Sequence, residues 1–223
     1  MTQEILSTAS VDWIHAALSM IVITDLALLG AERHRLCIRL IALQGFILGL
    51  LPLLVAEGSP DGHLLAMGAV FICIKGIILP LLLRRTYMRL PAQLSRDPYI
   101  GYSACALLGI LGLIISLWLG TRLGLPANPL FSLLFPVGLC TVIAGILLIV
   151  TRREALAQVF GYLVMENGIY LMGVPMAQED AVWLELSILL DILVAAFVMG
   201  IAIHHINRAF DSTDMDRIAS LRD

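Results

Sequence analysis

Between short clusters of charge, glycine, proline and asparagine, the chain falls into apolar runs of roughly 20 residues, the length an α-helix needs to cross a hydrocarbon layer about 30 Å thick. A soluble helix would set its apolar stripe against a charged face at a period near 3.6. These runs show no such alternation. Seven are delimited by the punctuation: 13–30, 36–56, 63–84, 99–120, 129–151, 154–174 and 182–206. The fold class that follows is all-α, a polytopic membrane bundle of seven transmembrane helices, with six as the alternative count. The boundary between the fifth and sixth runs rests on TRRE at 151–154 alone. Arg152, Arg153 and Glu154 together are too costly for mid-membrane, so the chain must turn there.

Composition closes off the soluble alternatives. Of the 223 residues, 60% are hydrophobic and 14% charged, which leaves no segment able to form a water-exposed domain of any size. The first thirteen residues, MTQEILSTASVDW, lack a basic leader and a small-residue cleavage site, so the first run is expected to stay as a span. The net charge of −3 gives no reason to expect nucleic acid as a partner.

The distribution of charge sets an orientation. Twelve of the fourteen Lys and Arg residues lie at the ends and connections on one side, in AERHR (31–35), Arg39, 84–98, TRRE and the tail after Asn207. The other side holds Arg122, among Glu4, Asp12, Glu57, Asp61, Glu179 and Asp180. The bias of Lys and Arg toward the cytoplasm then places the N-terminus outside and the C-terminus in the cytoplasm. In the tail, Met215, Ile218 and Leu221 recur every three residues among charges, as in a short amphipathic segment, with solvated disorder the plainer reading.

Four ionisable residues remain well inside the runs: Asp25, Lys75, Glu166 and Asp191. A charge at the centre of a span costs about 2.5–3.5 kcal/mol on insertion scales, so Lys75, Glu166 and Asp191, at similar depth on three helices, are expected to face one another or water. Burial in hydrocarbon disfavours the charged forms and a neighbour of opposite sign restores them, a balance that lets groups exchange protons. The plainer readings are a structural Lys75–Asp191 ion pair and a protonated Glu166 that only docks its helix. Asp25 and His15 lie toward opposite ends of the first run, and His204 and His205 close the last one. Contact with headgroups accounts for all four, with a proton-entry role for His204 as the alternative.

The surroundings of the central groups are polar and crowded. Tyr162, Glu166 and Tyr170 fall at i, i+4 and i+8 on one face of GYLVMENGIYLMG, with Asn167 beside the glutamate and Gly161, Gly168 and Gly173 allowing close approach. Pro80 cannot donate to the carbonyl of Gly76, which predicts an unpaired acceptor and a kink next to Lys75. Gln44 adds a polar group at matching depth in the second run. Cys37, Cys73, Cys105 and Cys140 stand alone in apolar surroundings, without CxxC spacing or a nearby histidine, so no zinc or iron–sulfur centre and no other metal site is expected in this chain.

The stretch RREALAQVFGYLVMENGIYLMG followed by LELSILLDILVAAFVMGIAIHHI resembles the hydrogenase-4 component E family, membrane subunits of formate hydrogenlyase-type and related group 4 nickel–iron hydrogenases. ALQG in the second run, FICIKGIILPLLLRRTY in the third and the tail DSTDMDRIASLRD agree with it. In that family the last three helices look like the small three-helix subunit of respiratory complex I and of multisubunit cation/proton antiporters, which carries one acid in each of its last two helices. By that likeness Glu166 and Asp191 correspond to the two acids, the second one methylene shorter. The organisation implied is a three-helix unit over 1–98, readable as a degenerate copy of the last one, an added helix over 99–127, a second three-helix unit over 128–207, and a cytoplasmic tail over 208–223.

The resemblance implies a non-catalytic subunit of an oxidoreductase complex in the bacterial inner membrane. Its expected partners are large antiporter-like membrane subunits, other membrane-arm subunits and hydrophilic subunits that bear the nickel–iron and iron–sulfur centres. Glu166, Asp191 and Lys75 would form a lateral proton path, with Gln44, Tyr162, Tyr170, Asn167, Asp25, His15 and His204 as auxiliary residues. The rival functions are a subunit of a cation/proton antiporter and a structural spacer whose charges only dock helices. A retinal pump is disfavoured because it would need the lysine in the last span and the carboxylates in the third.

Overall fold

The computed structural model describes residues 2–55, 62–89, 98–123, 129–174, 189–190, 192–196 and 200, and among these residues there is no strand. Helix α1 (Thr2–Gly30) begins well before residue 13, the expected start of the first span, because the polar residues ahead of Trp13 continue its helical turns. Helix α2 runs His34–Val55. The third run forms one rod in three parts: α3 (Gly62–Phe71), a π-helical segment (Ile72–Ile78) and α4 (Leu79–Arg89). Helices α5 (Tyr102–Arg122), α6 (Pro129–Thr151) and α7 (Ala155–Gly173) follow. Leu189, Leu190 and residues 192–196 are helical, while most of the seventh expected span lies outside the described residues.

Four stretches are long and apolar enough to cross a membrane: Asp12–Gly30, His34–Leu54, Tyr102–Arg122 and Ser132–Thr151. Chain α7 is of similar length but carries Gln158, Glu166 and Asn167, and it occupies the interior, packed on α6 and α2. Helix α1 lies against α2, α5 and α6.

Glycine sets how closely α6 and α7 approach. A Cβ on Gly145 would stand 2.4 Å from the Met165 nitrogen and 2.6 Å from the Gly161 oxygen. Seven residues away on each helix the contact repeats, where a Cβ on Gly168 would be 2.5 Å from the Gly138 oxygen. Both pairs put backbone against backbone in one antiparallel register, as small residues do between membrane helices.

The turn between α6 and α7 falls at 152–154, where the charge of TRRE requires it. Arg152 is buried there and donates from Nη2 to the carbonyls of Leu29 (2.9 Å) and Ala31 (3.3 Å), so a cation closes the C-terminal end of α1. Its guanidinium lies 4.1 Å from the Tyr102 ring centre. Beside it His34 and Glu154 are 2.5 Å apart, with the imidazole stacked on Tyr87.

Candidate functional site: a buried polar chain across five elements

Pro80 has no N–H to donate, and the irregularity expected beside Lys75 takes the form of the π segment. The Leu79 N–H donates to the Ile74 carbonyl, five residues back. Gly45 of α2 gives this segment room, since a Cβ there would meet the Lys75 carbonyl oxygen at 2.7 Å. The lysine backbone is thereby held against α2 while its side chain reaches α7.

Lys75 and Glu166 are both almost wholly buried, with Nζ 2.9 Å from Oε1. Lys75 also donates to Asn167 Oδ1 at 3.0 Å. Asn167 Nδ2 donates to Gln44 Oε1 at 3.3 Å, and Gln44 Nε2 donates to Asp25 Oδ1 at 2.7 Å and to Thr24 Oγ1 at 2.9 Å. Thr141 Oγ1 donates to the second oxygen of Asp25 at 2.7 Å. The result is one unbroken hydrogen-bonded chain, Glu166–Lys75–Asn167–Gln44–Asp25–Thr141, drawn from α7, the π segment, α2, α1 and α6. Phe71 and Tyr170 stack at 4.5 Å between centroids and border the lysine, whose Nζ is 5.0 Å and 5.8 Å from their ring centres.

The arrangement suits groups that could not be buried singly. Each ion would lose several kcal/mol of hydration, an amount recovered only through close pairing and further hydrogen bonds. The chain provides both, which is why six polar side chains are accommodated between apolar clusters built on Leu163, Val164, Leu48 and Leu171.

Asp25 requires a correction. It was expected near an interface, within reach of headgroups, and it is fully buried, level with the middles of α2 and α6. The reason is that its side chain points between α2 and α6, where Gln44 and Thr141 meet it. The lysine partner observed is Glu166, while Asp191 lies outside the described residues, as do His204 and His205. His15 is exposed on α1, away from the chain. Tyr162, half-buried, lines a groove with Gln158, Leu193 and Val194, between α7 and the helical residues that follow it.

Thr141, Thr24 and Phe71 had not been singled out. A threonine inside a helix is usually satisfied by its own backbone, and both of these do reach a carbonyl of the preceding turn, at Val137 and Ile21. Their sequence context therefore carries no signal of a second partner. Among the described residues no group of three or more His, Cys, Asp or Glu side chains is placed to hold a metal ion, and the four cysteines are free.

Residues 133–223 match the family described as NADH-ubiquinone/plastoquinone oxidoreductase chain 4L. The chain is 26% identical over 204 residues to hydrogenase-4 component E of Escherichia coli K12, covering 91% of this chain and 94% of that one. The chain is thus similar along most of its length to hydrogenase-4 component E and, over its C-terminal part, to the chain 4L family. An uncharacterized protein of Mycobacterium tuberculosis is 27% identical over 205 residues, covering 91% of this chain and 93% of its own. No solved structure matches. With four apolar helices of spanning length and relatives of this kind, the chain is a membrane protein. The chain 4L match includes Glu166 and Asn167 of the buried chain, whereas Asp25, Gln44 and Lys75 precede it.

Proposed function

We propose that this protein is a membrane-arm subunit of a complex I-like hydrogenase complex, and that the Lys75–Glu166 pair belongs to a lateral proton path through it. The observation that carries the reading is the 2.9 Å contact between two ionisable groups near the middles of their helices, continued by hydrogen bonds to Asp25. A carboxylate and an ammonium at that distance in low dielectric are held in balance, and a charge that arrives beside them changes which of the two keeps the proton. Likeness to hydrogenase-4 component E and to chain 4L supports the setting.

In this reading the subunit lies in the inner membrane, N-terminus outside and C-terminus in the cytoplasm, next to antiporter-like membrane subunits. Redox chemistry belongs to hydrophilic partners bearing nickel–iron and iron–sulfur centres. Asp191, in the last apolar run of the sequence, continues the path. The test is Glu166→Gln in the assembled complex, read as protons translocated per hydrogen evolved. The expected result is a fall in that ratio with hydrogen evolution retained; an unchanged ratio removes Glu166 from the path. Copurification of nickel–iron and iron–sulfur subunits checks the partners, and recovery of antiporter-type subunits alone would replace the hydrogenase by a cation/proton antiporter.

A further inference from the structure

Lys75 has a carboxylate on either side. Glu166 touches it directly, and Asp25 reaches it through two carboxamides. Along that second route every donor points away from the lysine, from Lys75 to Asn167, from Asn167 to Gln44, from Gln44 to Asp25. The two amide dipoles thus stand head to tail between a cation and an acid, the order in which each bond polarises the next. A carboxamide is a poor proton carrier, because passing a proton along requires its imidic acid form. The bridge is therefore suited to transmitting charge and poorly suited to conducting protons.

The far end is built to be satisfied with or without a proton. Thr141 Oγ1 lies 2.7 Å from Asp25 Oδ2 and 2.9 Å from the Val137 carbonyl, and its single hydrogen can serve only one of them. With Asp25 ionised, the hydroxyl donates to the carboxylate. With Asp25 protonated, the hydroxyl turns to Val137 and accepts the acid's hydrogen. Neither state leaves Thr141 or that Asp25 oxygen without a partner, whereas a fixed ion pair would need only one of the two arrangements.

We propose that Asp25 is the alternate counter-anion of Lys75, a protonation site that releases its proton to the aqueous phase when Glu166 takes one up from it, with the Asn167–Gln44 bridge carrying the electrostatic influence between them and no proton. This rests on reading Lys75 and Glu166 as an exchanging pair. Among the described residues, the groups that face Asp25 from neighbouring helices are Gln44 of α2 and Thr141 and the Cys140 thiol of α6, while α5 meets α1 through Gly109, set against Leu26 and Leu29. Nothing charged among them competes with Lys75. When Glu166 is neutral, the lysine charge is unbalanced on that side and favours the ionised form of Asp25. Two unit charges roughly 10 Å apart at an effective dielectric near 20 change a proton affinity by about tenfold.

The experiment is a pH titration of the full chain in lipid nanodiscs by infrared difference spectroscopy, following the carboxylic acid C=O band. Its assignment comes from Asp25→Asn or, where that variant does not fold, from the isotope shift of chain labelled at the aspartate carboxyl carbon. The wild type should show an Asp25 band that titrates, and in Glu166→Gln Asp25 should hold its proton about tenfold less tightly. An Asp25 band that does not titrate, or a midpoint that Glu166→Gln leaves in place, overturns the inference. An unmoved midpoint together with lost proton translocation overturns this inference and leaves the conduction reading standing. A moved midpoint with translocation unchanged does the reverse.

Discussion

Helices α5 and α7 differ by only two residues in length, 21 against 19, and meet their surroundings in opposite ways. Helix α5 is apolar on every side. What it buries is a stripe of small groups, Cys105, Gly109, Gly112 and Ser116, while Leu107, Leu111, Ile114 and Trp118 point outward. Helix α7 buries most of its length, and among its buried side chains are the charged and amide groups Glu166 and Asn167. In water the apolar helix would be the core. In a bilayer the lipid is as apolar as leucine, so hydrophobicity marks the helix that can stand at the edge and polarity marks the helix that must be enclosed.

The comparison can be broken most severely at Glu166. Replacing it by Leu strands the buried Lys75 charge and should cost about 3–5 kcal/mol, read from unfolding of the purified chain in detergent or nanodiscs. Removing Lys75 as well, by Lys75→Met with Glu166→Leu, should recover most of that loss, because two apolar groups of similar volume leave no uncompensated charge. Failure of the double variant to recover would mean that the rest of the polar chain depends on the ion pair.

Glycine contacts sharpen the contrast at a smaller scale. In Gly145→Ala the new methyl meets the α7 backbone, which cannot step aside, and a loss of about 1–3 kcal/mol is expected in the same unfolding measurement. Gly112→Ala on α5 places its methyl 2.8 Å from Ile143 Cγ2, a side-chain methyl where Gly145 meets backbone, so its loss should be smaller. The smallest effect belongs to the outer face of α5. Ile114→Ala in nanodiscs should stay within about 0.5 kcal/mol of wild type, and a larger loss would mean that this face is covered by protein.

How far the sequence could be read follows from the same physics. A rise of 1.5 Å per residue converts position into depth, so the levels of Lys75, Glu166 and Gln44 were legible, as was the turn at 152–154. A break in regular helix before Pro80 was legible too, because proline lacks a donor, though its π-helical form was not. Rotation about each helix axis and the choice of neighbour were not. Those depend on which small residues meet, and the pairing of Gly138 with Gly168 and Gly145 with Gly161 becomes meaningful only once α6 and α7 are known to be adjacent. Asp25 was misplaced for a related reason: counting from residue 13 puts it near an end, and only its contacts with Gln44 and Thr141 show that its side chain turns into the bundle.

The π segment has a geometric consequence for its whole rod. Phe71, Lys75, Leu79 and Leu83 are all buried and follow one another at intervals of four. On a uniform α-helix each such step overshoots a full revolution by about 40°, so the fourth residue would have swung roughly 120° from the first. A turn that takes in an additional residue absorbs the overshoot. The rod can then keep its aromatic, its cation and two leucines on a single azimuth without winding around its neighbours.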